Sequence, residues 1–355
     1  MDEYIYDAID LLKALISIPS VSRNEDAAAS LLYDKCMEWG LSPTRIGNNV
    51  ICQGTSYDIT RPTILLNSHI DTINPVDGWT YPPFSPTCDD GCIYGLGSND
   101  AGASVVSLLA AYRVLSQQQC AYNLIFVASC EEEISGKGGI EMVLPKLPQI
   151  DVAVVGEPTG MNPAIAEKGL MVLDGEIYGK AGHAARNEGV NAIYQTLPVI
   201  EKIKNLQFNK VSQHLGPIKV SVTQINAGTA HNIVPDICHI VVDVRTTDAY
   251  TNEQTLEIIR EAVGDSCKLT PRSTRLSPSY IPNNHPIVAR SIMLGGKPFG
   301  SPTLSDQALM PFYSMKMGPG DSARSHTANE YIREQEIREA IAIYISLLSG
   351  IDSLN

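Results

Sequence analysis

Five short stretches of the chain carry residues that hold metal ions or move protons: SHID (68–71), GLGSND (95–100), CEEEISGKGG (130–139), GEP (156–158) and GPGDSARSH (318–326). The third sets three glutamates side by side, with no cation before Lys137. A short charge run is ordinarily a solvated turn; the competing reading is that the balancing cation is a metal ion. In SHID, His69 and Asp71 share a face of an extended chain. Asp71 then suits the outer partner that takes the second ring N–H of a metal-bound histidine, although a strand-end ion pair has the same spacing. Asp100 is placed equally well for a helix N-cap. The G-x-G before it is weak as a phosphate loop, since the third glycine and the lysine are missing. Two histidines, His69 and His326, together with Asp100, Glu157 and the triplet form a mixed nitrogen and oxygen donor set. That set suits zinc or a similar divalent ion, whereas calcium prefers oxygen alone. The donors exceed what one zinc needs and fit two metals bridged by a carboxylate.

The elements that position these residues follow from apolar patterning. Residues 4–17 and 25–39 have helical spacing, the second run stopped by Gly40. TILLNS (63–68), NLIFVAS (123–129) and VAVVG (152–156) read as buried strands, with a helix over about 101–117 between the first two. Strands alternating with helices predict an α/β domain with a mostly parallel sheet. His69, Asp100, the triplet and Glu157 then fall at strand C-terminal ends, where open sheets of this kind place their sites. After Lys168 the order becomes β-α-β-β-α-β, the ferredoxin-like arrangement. The chain therefore divides into a catalytic domain, 1–168 and 279–355, and an inserted domain, 169–278, with a ligand expected in the cleft between them. The closing helix lies at 333–350.

The bulk composition narrows the function classes. The chain has 355 residues, 44% hydrophobic and 18% charged, as in an ordinary globular protein. Its net charge of −13 argues against nucleic acid or an anionic membrane as partner. No apolar run is long enough for a membrane span. The N-terminus starts acidic and lacks a basic leader, so a cytoplasmic protein is expected. The eight cysteines are scattered without a C-x-x-C pair and read as reduced thiols, not zinc ligands.

In order, SHID, GLGSNDAGA, CEEEISGKGG, GEP, GKAGHAA and GPGDSARSH resemble the motifs of the dinuclear-zinc aminoacylase and deacylase group. That group includes acetylornithine deacetylase, succinyl-diaminopimelate desuccinylase, aminoacylase and glutamate carboxypeptidase. The resemblance spans nearly the whole chain. EKGLMVLDG and GKAGHAARNEGVNAI look closest to the bacterial acetylornithine or succinylornithine deacetylases. It implies two zinc ions, with cobalt or manganese as substitutes. His69 and Glu157 would hold one ion, Glu133 and His326 the other, and Asp100 would bridge them. Glu132 is then the general base, Glu131 stands where the group usually has Asp, and Asp71 is the outer partner of His69. A cis peptide is implied after Asp100. The chain departs from the group at Ala101-Gly102, where many members have Met-Lys-Gly; neither missing side chain is a ligand.

The resemblance further implies a homodimer formed through the inserted domain, with His183 of GKAGHAA reaching a second subunit's site as oxyanion donor. Asn232 and Arg245 match positions near the substrate carboxylate, to which Gly320, in the tight turn before His326, could offer a backbone N–H, although Asp243 and Arg245 also suit a sheet-surface ion pair. Arg186 and Arg324 are candidates for reading a second carboxylate on a succinyl group, or else surface ion pairs. The implied activity is removal of the acyl group from an N-acyl amino acid, N-acetyl- or N-succinyl-L-ornithine in arginine biosynthesis. A dipeptidase or carboxypeptidase would use the same dinuclear site. A silent metal-binding protein would be expected to lack a ligand or the base, and none is missing.

Overall fold

The computed structural model of the protein describes residues 1–54, 57–351 and 353–354. The chain forms two compact units. The first comprises Met1–Ile165, Tyr280–Phe299 and Ser305–Asn355; the second comprises Ala166–Ser279 and Gly300–Leu304.

At the centre of the first unit, Thr63–His69 lies between Asn123–Ser129 and Val152–Val155, parallel to both. Tyr313–Lys316 extends the parallel set beyond Val152–Val155. The sheet as a whole is mixed, which corrects the mostly parallel expectation. A hairpin of Pro43–Ile46 and Asn49–Gln53 adds antiparallel to Asn123–Ser129, and Lys316 pairs antiparallel with Ala164. Every residue of Thr63–His69 is buried, so the run shows no polar alternation. Its side chains still divide between two cores by the strand period of two. Ile64 and Leu66 join Leu108, Tyr112 and Tyr344, from the helices Ala103–Leu115 and Glu334–Ser349, on one face. Leu65 joins Ile125, Val127, Ile140 and Val143 on the other. Truncating such a leucine to alanine typically costs about 2–5 kcal/mol. The parallel strands all end at one edge of the sheet: His69 is in register with Ser129, and Asn67 with Val155. The segments that carry the chemistry leave from that edge.

In the second unit, Gly169–Tyr178, Lys219–Ala227, Ile237–Thr246 and Lys268–Pro271 form an antiparallel sheet. Its order is Lys219–Ala227, Ile237–Thr246, Gly169–Tyr178, Lys268–Pro271. The helices Ala192–Lys204 and Asn252–Val263 complete a β-α-β-β-α-β order. Gly169–Tyr178 alternates strictly, with Met171, Leu173 and Ile177 turned into the core. Thr251 and Gln254 close a reciprocal capping box at the start of Asn252–Val263. A two-residue ribbon, Gly182–His183 against Ile233–Val234, lies outside the main sheet.

Candidate metal centre

His69 is the last residue of its strand and is 1% exposed. Its Nδ1 lies 2.9 Å from the backbone carbonyl oxygen of Asp71, which fixes the proton on Nδ1 and leaves Nε2 facing the site. The Asp71 carboxylate is farther from the ring, at 3.5 Å. The ring N–H therefore faces both the carbonyl and the carboxylate of Asp71, the carbonyl being the nearer. The carboxylate of Asp71 has further partners. It accepts the Ser22 hydroxyl at 2.6 Å and the backbone N–H groups of Glu132 at 3.0 Å and Glu133 at 3.1 Å.

Those amides belong to the glutamate triplet, whose carboxylates point to three different places. Glu131 has a left-handed φ of 55° and folds back into its own loop, where its carboxylate accepts the Gly138 N–H at 3.1 Å. A Cβ at Gly136 or Gly138 would overlap that carboxylate, which is why the loop reads SGKGG. Glu132 turns toward His69, with Oε2 3.8 Å from Nε2. Glu133 turns toward His326, with Oε2 3.0 Å from Nε2.

Asp100 sits in a bent segment, Ser98–Gly102, that leads into the helix Ala103–Leu115. The Asp100–Ala101 peptide is cis. Its two carboxylate oxygens face opposite histidines: Oδ1 is 3.3 Å from His69 Nε2 and Oδ2 is 3.7 Å from His326 Nε2. Glu157 Oε1 lies 3.7 Å from His69 Nε2. Donor atoms of His69, Glu132 and Glu157 lie within 4.8 Å of one another, as do those of His69, Asp100 and Glu133. Gly320 has a φ of +87°, and a Cβ there would overlap the Asn99 side chain. Asn99 Oδ1 in turn accepts the Asp321 N–H at 3.1 Å, so this glycine turn packs beside Asp100.

The acids of the cluster raise the basicity of its two histidines. Burial alone would lower the His69 pKa, but the carboxylates of Glu132, Asp100, Asp71 and Glu157 outweigh it and hold it well above the imidazole range. The hydrogen bond to Glu133 pushes His326 up to about 9. Burial, with the charges of Glu157, Asp306 and Glu133, raises Glu132 well above the usual carboxyl value despite the pull of His69. Protons on two histidines thus neutralise acids that crowd one small volume. Two imidazoles and a shared carboxylate with flanking glutamates fit two divalent cations, which would replace those protons.

The model of Peptidase family M20/M25/M40 matches residues 65–350. The chain belongs to this family. It is 26% identical over 288 residues to the succinyl-diaminopimelate desuccinylase of Wolbachia pipientis, covering 76% of this chain and 71% of that protein. The structure of a tripeptidase from Staphylococcus aureus superposes with a TM-score of 0.76 at 21% identity, covering 97% of this chain and 98% of that one. A Bacillus subtilis dinuclear metal-binding peptidase of the M20 family gives a TM-score of 0.77 at 17% identity, with 98% of both chains covered. The protein is therefore an M20 metallohydrolase. No helix among the described residues is long and apolar enough to cross a membrane.

The remaining sequence-derived candidates of this M20 chain are described by their local contacts. His183 and Asn232 are both exposed and adjoin one another on the small ribbon, where the Ala184 N–H donates to the Asn232 carbonyl at 3.0 Å. The Arg245 guanidinium forks onto Asp243, at 2.9 and 3.2 Å. Arg186 lies 3.7 Å from Glu188, both largely exposed. Arg324 is bound bidentately by Glu336 at 2.7 and 3.1 Å and lies over the Tyr331 ring.

Among the buried acids that sequence reasoning passed over, Asp306 and Glu330 lie beside the site. Asp306 accepts the Ser129 hydroxyl at 2.6 Å and, with the Asn67 amide turned to suit it, that NH₂ at 3.1 Å; burial raises its carboxyl to about 6. Glu330, four residues beyond His326, accepts backbone N–H groups beside Asp100, and burial raises it to about 8. The only sequence signal for either is an acid in an otherwise apolar or small-residue setting near a motif.

Proposed function

We propose that this M20 metallohydrolase is a cytoplasmic, zinc-dependent deacylase of N-acyl amino acids, acting on N-acetyl- or N-succinyl-L-ornithine in arginine biosynthesis. The observation that carries the hydrolytic reading is Asp100, whose two oxygens face His69 and His326 with Glu132 alongside. The N-acyl class is supported by the ordered motifs and by the name of the desuccinylase relative. All eight cysteines are free thiols, which suits a reducing compartment.

In this reading His69, Glu157 and Asp100 hold one zinc, and Asp100, Glu133 and His326 the other. Bound metal supplies a water of lowered pKa and an electrophile for the amide carbonyl. Glu132 takes the proton from the attacking water and passes it to the leaving amine, a role that typically contributes about 10²–10⁴-fold. Asp71 holds the Glu132 backbone so that the carboxylate faces His69. His183, from the second subunit of a homodimer, donates to the oxyanion. Asn232, Arg245 and Gly320 take the α-carboxylate, Arg245 by exchanging Asp243 for substrate.

The dimer is supported by the edge strand Lys219–Ala227, paired on one side only, and by the exposed apolar residues Ile225, Ile193, Tyr194 and Leu197. The pairing of Arg324 with Glu336 and of Arg186 with Glu188 weighs toward the acetyl substrate, since both cations already have partners. A dipeptidase or carboxypeptidase, which would use the same dinuclear site, is the second reading, favoured by the peptidases named among the structural neighbours. The test is initial rates of zinc-loaded protein on N-acetyl- and N-succinyl-L-ornithine side by side, with Glu132→Ala as blank. Turnover at least about 10²-fold above the blank is expected. No turnover of either substrate with two metals bound would sink the ornithine reading and send the search to dipeptides.

A further inference from the structure

Glu330 is 2% exposed and stands apart from the strand-end donors. One carboxylate oxygen accepts the backbone N–H groups of Asn99 at 2.8 Å and Asp100 at 2.9 Å; the other accepts that of Gly97 at 3.2 Å. Its backbone carbonyl accepts the Gly95 N–H at 3.0 Å. The side chain of Asn99 returns the grip, donating to the Asp321 carbonyl at 3.1 Å and to Ser325 Oγ at 3.3 Å. The turn that presents Asp100 and the segment that presents His326 are therefore interlocked. A buried carboxyl next to other carboxylates is unfavourable unless it is well satisfied. A side-chain amide would offer these N–H groups one acceptor oxygen. The carboxyl is explained by the geometry it enforces: two oxygens spread across three amides of one turn.

We propose that Glu330 is a positioning residue that sets the bridging Asp100 carboxylate between the two histidines and so couples the two metal positions. This rests on the dinuclear reading of the site but not on any substrate. Because His326 lies four residues before Glu330, one segment supplies a ligand for one metal and the brace for the carboxylate shared with the other. Displacing Asp100 weakens both positions, most at the oxygen that faces His326, where its 3.7 Å spacing is the longer of the two. Glu330→Gln keeps the shape but offers one acceptor oxygen, leaving at least one amide of the turn opposite an NH₂.

The test titrates the full-length, metal-stripped chain with zinc in a calorimeter, without substrate. The parent is expected to bind two equivalents. Glu330→Gln is expected to bind the second about ten- to hundredfold more weakly, the usual range for loss of an outer-shell partner. Glu336→Gln, which removes one of the two hydrogen bonds that hold Arg324 nearby, serves as the control for local loosening and is expected to keep both affinities. If Glu330→Gln does not fold, Glu330→Asp keeps the carboxyl, withdraws its oxygens, and is expected to show the same selective loss. Parental affinity for both equivalents in either folded variant overturns the coupling role. Equal weakening in Glu336→Gln overturns it too, because loosening alone would then suffice. A parent that binds one equivalent overturns it together with the dinuclear reading.

Discussion

Replacing Asp71 with asparagine tests whether the glutamate triplet is held by a buried carboxylate. The Asp71 side chain is 0% exposed and takes three short hydrogen bonds, from Ser22, Glu132 N–H and Glu133 N–H. Asparagine provides one acceptor oxygen, so one of the two backbone amides must face an NH₂. A hydrogen bond to a charged group contributes about 1.5–3 kcal/mol, and an orphaned buried donor costs about 1–3 kcal/mol. These overlap, and we expect a net loss of about 3 kcal/mol in the first unit. At about 2–4 °C per kcal/mol for a unit of this size, the metal-free melting temperature falls by about 6–12 °C. Zinc affinity falls about ten- to hundredfold, because Glu132 and Glu133 are no longer aimed.

Circular-dichroism melts of metal-stripped parent, Asp71→Asn and Ser22→Ala measure the first effect; calorimetry measures the second. Ser22→Ala, which removes one donor and orphans none, loses about 1 kcal/mol. Burial opposes ionisation of Asp71, but the His69 imidazolium and the Ser22 and Glu132 donors hold its carboxyl below the usual range. The stability it supplies is therefore complete above its unfolded value of about 4 and is lost as pH falls through the lower folded value. The gap between parent and Asp71→Asn should close on acidification below pH 4. Unchanged melting and unchanged zinc affinity in Asp71→Asn would refute the idea that this carboxylate sets the triplet.

Two further outcomes follow from the same geometry. With His326 raised to about 9 and His69 held well above its usual range, both imidazoles are protonated near neutrality in the metal-free protein, and binding must displace those protons. Affinity should fall by up to about tenfold per pH unit as pH drops below about 9 and His326 takes up its proton, with protonation of His69 adding to the fall; calorimetry in buffers of differing ionisation enthalpy should detect proton release, and its absence would count against both histidines as ligands. A Cβ at Gly318 would overlap Ser104 Oγ and the backbone of Glu157, so Gly318→Ala should lower stability by about 1–3 kcal/mol and loosen metal on the His69 side. Melting and metal content per chain would read both, and a parental value for each would show that the strand end absorbs the methyl.

The strands that end at the site are legible because their apolar runs are short, bounded and rich in residues that suit two-sided burial. Thr63–His69 and Asn123–Ser129 read as strands without further help. The hairpin at Pro43–Gln53 does not stand out, because two four- or five-residue strands give little periodicity to count. Donor types and their order along the chain are equally plain in the sequence. What each acid does with its oxygens is not. Asp71 spaces correctly for the imidazole and lies 3.5 Å from it, but the same carboxylate also holds two backbone amides, which the spacing does not show. Backbone N–H groups leave no mark in a sequence, so residues that act through them, such as Asp71 and Glu330, are invisible in role even where they are visible in type. Glu131 looks like a member of a catalytic cluster until the glycines around it show where it folds.

The supports of this site grip peptide groups rather than the side chains that face the cluster. Asp71 holds the amides of Glu132 and Glu133, and Glu330 holds those of Gly97, Asn99 and Asp100. Loop shape is thereby separated from ligand identity. Exchange of one facing side chain for another leaves the bracing intact, so mutation can alter metal preference or reactivity one position at a time while the loops stay where they are. The same separation lets metal leave and return without the loops having to be rebuilt around it.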